Sequence, residues 1–334
     1  MFKKTLLATT LLIILPGCSL TGPDAICTPD TRVNIETADV QMPSTEDLKV
    51  IILPIDAEFK DSSNEKVKSV IRNALEDQVA NSGANLVDRK LANKLKGEIK
   101  LAEQSGRYNS KGVPVADYAI LTEIVSTDFS KSYQEAYSYE NDDGETKHVP
   151  AKCSYEVDVK AIAKVVSLPS MELVKRIELS GDEYMITETR SSSCPMSTAQ
   201  YTALASKAGA ESVEHTHDLK DLLAPSAPIM ELRQCEEGNM VKVAMGQNKK
   251  VSPGLSVQFS KAMKNEEGEV ETFGIGEGEV VDIPEHGIKP TYSWVSIDEE
   301  VALKVQKGNQ AKLEPKKCSL LDLECQANRY GVPL

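Results

Sequence analysis

The sequence predicts an α+β protein, an N-terminal α/β sandwich domain followed by a small all-β barrel. Three observations carry that prediction. An apolar run at 50–53 and strand-like segments at 84–88 and 118–125 are separated by segments whose apolar residues recur at helical spacing, the order of strands joined by crossover helices. Residues 155–165 then alternate between apolar and charged, Ile162 apart, the period of a half-buried strand. From 229 to 315 the chain holds short strand-like segments between Gly, Pro and acidic turns, as small barrels do. A length of 334 residues suits two domains plus extras, and 40% hydrophobic residues suffice for ordinary cores.

The N-terminus reads as an address. Lys3 and Lys4 form a positive start, and Thr5 to Leu15 form an apolar core of signal-peptide length, too short to span a bilayer. Leu15-Pro16-Gly17-Cys18 resembles a bacterial lipobox. That resemblance implies cleavage before Cys18 and lipid, palmitate included, on Cys18. Ser19 follows the cysteine, where an Asp would favour inner-membrane retention, so the resemblance places the protein at the outer membrane, facing the periplasm. Residues 19–45 are rich in Pro, Ser, Thr and Asp without a sustained period and are expected to be a flexible tether.

The folded elements follow in order. Val50–Leu53 reads as a buried strand. Ser62 and Glu65 have capping-box spacing, Val67, Ile71, Ala74, Leu75 and Val79 line a helix, and Gly83 stops it. A second strand is expected at 84–88, a second helix over Leu91–Ala102 and a third strand at 118–125. Residues 130–152 read as a polar excursion with the tip Glu140-Asn141-Asp142-Asp143-Gly144-Glu145. Strands at 155–165 and 171–185 flank a turn at Leu168-Pro169-Ser170, and a helix is expected from Ser197 to about Leu223. Pro225 and Pro228 mark a domain boundary. Barrel strands are expected at 240–245, 255–260, 270–275, 279–283, 294–297 and 302–305. The divisions are therefore 1–18 signal peptide and lipobox, 19–45 tether, 46–228 α/β domain, 229–315 barrel and 316–334 a disulfide-pinned tail.

Cys27, Cys153, Cys194, Cys235, Cys318 and Cys325 remain after Cys18. An even number in an exported chain suggests disulfides, and six cysteines allow 15 pairings. Cys318–Cys325 is the first expectation because its loop is short. Cys153–Cys194 and Cys27–Cys235 follow it. Histidine is scarce and no C-x-x-C pair occurs, so no metal site is expected.

Little in the chain suggests catalysis. His215 and His217 lie two apart on an expected helix and so point to different faces. Gly274-x-Gly276-x-Gly278 lies between β segments, where a bulge or hairpin corner is expected rather than a phosphate cradle. Ser191–Ser193 lack a nucleophile-elbow context. No catalytic residue and no cofactor are assigned. Glu140, Asp142, Asp143 and Glu145 are candidates for docking a basic partner, and Tyr292 with Trp294 for anchoring an interface. Thirty-eight basic against 51 acidic residues leave a net charge of −13, which argues against nucleic acid as a partner.

Ile51-Ile52-Leu53-Pro54-Ile55, Asn73-Ala74-Leu75-Glu76-Asp77, Asn85-Leu86-Val87-Asp88-Arg89 and Ala116-Asp117-Tyr118-Ala119-Ile120-Leu121 together resemble a periplasmic α/β domain. It is shared by the curli secretion-channel lipoprotein, the lipoprotein activators of penicillin-binding proteins, the N-terminal domain of TolB and the middle domain of the flagellar H-ring protein. The trailing barrel is similar to that ring protein's C-terminal domain and implies an SH3-like fold. The resemblance implies a non-catalytic lipoprotein that assembles or stabilises an envelope machine, a flagellar basal body or secretion apparatus, through periplasmic partners or a homo-oligomeric ring. Activation of a cell-wall synthase and a curli-like pore are the alternatives. A pore would need 130–152 and 182–200 as spanning hairpins, and their charges interrupt any apolar band.

Overall fold

The computed structural model describes residues 27–88, 90, 92, 116–168, 170–236, 238–281 and 287–315. The described chain is mostly β with few helices. The N-terminal signal peptide, Cys18, the expected second helix and the tail with Cys318 and Cys325 lie outside the described residues.

One unit is a sheet backed by helices. Strand β2 (Lys49–Ile52) runs parallel to β4 (Asn85–Leu86) on one side and to β5 (Tyr118–Gln134) on the other. Strand β3 (Asp56–Ala57) also pairs with β5. From β5 the chain continues as an antiparallel meander through β8 (Lys152–Ser167) to β9 (Leu173–Glu188), giving the order β4-β2-β5-β8-β9. Helix α1 (Asn64–Ser82) buries Val67, Ile71, Leu75 and Val79 against this sheet. Those residues recur every three or four positions, so one stripe faces the core. Gly83 closes α1 in the left-handed region at φ 79°, as a glycine can without strain. The capping box expected from Ser62 is not formed. Ser63 is the N-cap, and its hydroxyl and amide both donate to Asp61.

Helix α2 (Thr198–Glu214) begins with a capping box, in which Ser197 Oγ accepts from the Gln200 amide and the Gln200 side chain accepts from the Ser197 amide. The single helix expected to Leu223 breaks at His215–Thr216, and α3 (His217–Leu222) follows. Helix α2 lies so close to β9 that a Cβ on Gly181 would sit 2.3 Å from the Ala208 carbonyl oxygen.

The polar excursion expected at 130–152 is largely strand. Strand β5 runs on to Gln134 because its polar half pairs in register with β8, Ser130 with Glu156 and Gln134 with Lys152. The short hairpin of β6 (Tyr137–Glu140) and β7 (Thr146–Val149) fills the rest.

The second unit is a closed six-stranded barrel. Its strands are β10 (Ser226–Cys235), β11 (Gly238–Val243), β12 (Ser256–Lys264), β13 (Val270–Val280), β14 (Ser293–Ile297) and β15 (Gln310–Leu313). The order β10-β11-β14-β13-β12-β15 is closed by pairing of β10 with β15. Val241, Val243, Val257, Phe259, Val295 and Ala311 fill the interior. Three expectations change here. Pro228 lies inside β10 rather than ending the preceding unit, and its carbonyl accepts from the Ala244 amide. Residues 270–280 form one strand, with the register shifting opposite Phe259 and Ser260 where Gly274 and Gly276 sit. Residues 299–302 form a short helix, α4, with Asp298 as its N-cap, so no strand occupies 302–305.

The chain between Cys27 and Thr45 also departs from the free tether expected there. Strand β1 (Thr31–Val33) pairs with β10, Thr37 and Val40 bridge to Lys307 and Ala262, and Cys27 is bonded to Cys235. This segment supplies a β edge to the barrel and is stapled to it.

Candidate docking surfaces

The acidic tip is shaped by its turn. Asn141 Oδ1 accepts from the Glu145 amide at 2.7 Å, and Gly144 takes φ 77°, a geometry most side chains would resist. Because Asn141 and Gly144 make the turn, the carboxylates have no part in its backbone geometry. Glu140, Asp142, Asp143 and Glu145 are all exposed, with Glu145 paired to Lys147 at 2.7 Å. Tyr137 and Tyr139 lie exposed beneath them.

Trp294 is placed differently. It is 4% exposed, packed with Met240 and Val281 and flanked by the Cys27–Cys235 disulfide. The Arg233 guanidinium lies 5.2 Å from its ring centroid, and Lys242 Nζ lies 4.0 Å from that of Tyr292. Glu231 holds Arg233 at 2.9 Å. Such stacks favour a cation over an aromatic face. The chain itself therefore covers the Trp294 ring, which clamps the N-terminal segment, and Tyr292 is half-buried under Lys242.

The open face of the sheet carries charge that the sequence does not show as a cluster. Register places Asp128 opposite Asp158 and Asp158 opposite Asp182. Burial first, then Glu156 and Asp182, push the Asp158 carboxyl above its ordinary range, with Lys160 opposing. On the helix side, Glu183 accepts from Lys207 at 2.8 Å. Glu211 is pushed up to about 7, mainly by burial and then by Glu183 and Asp182. These groups lie far apart in sequence, so pairing register is the signal that would have found them.

The two units meet at Lys249, whose side chain is 1% exposed. Its Nζ donates to Thr45 Oγ1 at 3.0 Å, Ser44 Oγ at 3.1 Å and the Ser226 carbonyl at 3.2 Å, and lies 3.5 Å from Glu46. Burial holds its pKa below the ordinary lysine range, with Glu46 opposing. Lys250 reaches Asn81 of α1, and Lys312 pairs with Asp221 of α3 at 3.2 Å. No motif marks Lys249 in the sequence.

His215 caps α2, His217 opens α3, and Asp218 pairs with Lys175 at 3.1 Å. Ser191 and Ser193 hydrogen-bond each other at 2.9 Å, beside the Cys153–Cys194 disulfide. Among the described residues, no group of His, Cys, Asp and Glu is arranged to hold a metal ion, and no helix is long and apolar enough to cross a membrane.

No family model matches the chain, and no curated protein matches it. Solved structures do. The PelC dodecamer of Paraburkholderia phytofirmans matches at 13% identity, over 52% of this chain and 92% of that one, with a TM-score of 0.21. Rare lipoprotein B of Shewanella oneidensis matches at 9% identity, over 49% and 91%, with a TM-score of 0.23. Protein CT253 of Chlamydia trachomatis matches at 11% identity, over 52% and 96%, with a TM-score of 0.29. Likeness at this level carries no argument about fold or role.

Proposed function

We propose that the protein is a non-catalytic lipoprotein of the outer membrane, facing the periplasm, that docks and stabilises other envelope proteins. The observation that carries this reading is the position of the staple. Cys27 is bonded to Cys235, and residues 19–26 alone separate it from the lipobox cysteine, Cys18. Even fully extended, that stretch spans only about 30 Å. An acylated Cys18 would therefore hold the barrel close to a membrane surface. Two disulfides suit an oxidising compartment such as the periplasm.

The exposed acidic hairpin is the docking element in this reading, with a partner of basic character. Flagellar or secretion assemblies are the partner class that the sequence resemblance suggests, and the sheet-and-helix unit with its closed barrel is read as the TolB-like sandwich and SH3-like barrel of that resemblance. The docking reading is favoured over a pore because charges interrupt any apolar band along 130–152 and 182–200.

The test is radiolabelled palmitate incorporation in cells, with Cys18→Ser as the control, followed by membrane fractionation. Label on the wild type, none on the variant, and recovery in outer-membrane fractions is the expected result. An unlabelled wild type recovered free in periplasmic extract overturns the reading.

A further inference from the structure

Strand β9 ends the sheet order, so its outer edge has no strand beside it among the described residues. It runs from Leu173 to Glu188. Long free edges template the addition of another strand, and chains commonly blunt them with charge. Scattered charge would do that. In β9 the charge is ordered about Leu179, with Lys175 and Arg176 before it and Asp182 and Glu183 at mirrored positions after it.

Antiparallel pairing of this strand with itself, centred on Leu179, sets Arg176 opposite Asp182 and Lys175 opposite Glu183, each twice by symmetry. Glu178 meets Ser180, Ile177 meets Gly181, and no like charges meet. Centring on Glu178 would place that carboxylate opposite itself. Centring on Ser180 would place Glu178 opposite Asp182. A half-step shift would exchange the two faces, and Ile177, Leu179 and Gly181 are buried while Arg176, Glu178, Ser180 and Asp182 are exposed. The Leu179 register keeps both helix-covered faces on one side. Pairing with β8 is regular from Lys175 to Glu183, so this stretch offers straight strand.

The open face adds a second reason. Asp128, Asp158 and Asp182 stand opposite one another in a row that ends at this edge, and like charges in direct opposition destabilise a sheet. A second copy would bring Arg176 to the edge of that row. In one copy Arg176 reaches Glu178 of its own strand at 2.6 Å. Val174 and Tyr184, 45% and 70% exposed, would come to face each other across the seam. Lys175 and Glu183 already hold Asp218 and Lys207, so Arg176 and Asp182 are the pair to test.

We propose that the protein forms a two-fold dimer through antiparallel pairing of β9 with β9 of a second copy, centred on Leu179. Such an interface is self-complementary and closes at two copies, unlike a ring. It goes beyond the docking reading and does not depend on acylation.

The experiment is sedimentation equilibrium of the full-length protein in detergent across micromolar concentrations. The wild type is expected to associate to a dimer. Arg176→Asp should weaken association about tenfold or more, and Arg176→Asp combined with Asp182→Arg should restore it. A wild type that stays monomeric, a dimer indifferent to Arg176→Asp, or assembly beyond two copies overturns the proposal. Should Arg176→Asp fail to fold by circular dichroism, Glu178→Cys with Ser180→Cys decides. A disulfide-linked dimer under mild oxidation supports the two-fold register, and its absence overturns it. Palmitate labelling reads out independently of every one of these outcomes.

Discussion

The Cys153–Cys194 disulfide should carry much of the stability of the sheet-and-helix unit. Its cysteines are 41 positions apart with Cα atoms 5.6 Å apart, and both are buried. Closing a loop of that length in the unfolded chain corresponds to about 4 kcal/mol in the chain-entropy treatment. The bond joins the start of β8 to the segment leading into α2. Nearby, Lys131 Nζ donates to the Ser193 carbonyl at 2.7 Å, and Tyr155 donates to the Pro195 carbonyl at 3.1 Å. These contacts remain in Cys153→Ala with Cys194→Ala, so the variant should fold and lose mainly the cross-link. With a denaturant slope of about 2 kcal/mol per molar urea, the midpoint should fall by about 2 M. Far-UV circular dichroism reads the whole chain, whereas Trp294, the single tryptophan, sits in the barrel unit and reads that unit. The dichroism transition should move further than the fluorescence transition. A shift below about 0.3 M at unchanged slope would refute the reasoning.

Three further outcomes follow from the packing and charge. Gly181→Ala puts a Cβ 2.3 Å from the Ala208 carbonyl oxygen and 2.4 Å from the Ser212 amide nitrogen, both backbone. Displacing α2 should cost about 2 kcal/mol, a fall of about 4–8 °C by scanning calorimetry, and an unchanged melting temperature contradicts the contact. Lys249, with a folded pKa below its ordinary value of 10.5, sheds its buried charge earlier than the unfolded chain does. Its contribution to stability therefore rises with pH through the interval up to that value, and Lys249→Met should abolish this slope in urea melts from pH 7 to 10. For Glu211, raised from 4.5 to about 7, the folded state holds its proton longer. That contribution is present at acid pH and is lost as pH climbs through about 7. Glu211→Gln should consequently stabilise the protein at pH 8 and flatten the dependence between pH 4.5 and 7, and a variant no more stable than wild type at pH 8 refutes this.

The sequence shows what is local. The alternation of Tyr155, Val157, Val159 and Ala161 is strand β8 with its buried side facing the helices. The helix expected from Ser197 starts there and the stripe from Val67 to Val79 packs as read, whereas the capping box read at Ser62 does not form. What hid was set by distant partners. The polar second half of β5 carries no periodic signal and is strand because β8 pairs with it. Pro228 reads as a stop, yet it lies within a strand and its carbonyl accepts from the Ala244 amide. The bulge expected among the glycines at 274, 276 and 278 falls between Gly274 and Gly276, but the strands expected on either side of it are one. Of the candidate surface, the exposed acidic tip lies where its composition suggested, because Asn141 and Gly144 make the turn alone. Trp294 is covered by a segment whose sequence resembles a linker.

The two disulfides among the described residues are nested, since Cys153 and Cys194 both lie between Cys27 and Cys235. A chain threaded N-terminus first into an oxidising space exposes Cys27 long before Cys235 follows. Oxidation in order of emergence would join Cys27 to Cys153 and strand the later thiols with the wrong mates. Thiolate attack on that first bond, through a mixed disulfide, is the route back to the native pairs. Maturation of this protein should therefore depend on a thiol isomerase as well as an oxidant, and cells lacking the isomerase should accumulate scrambled chains that regain native mobility on reduction.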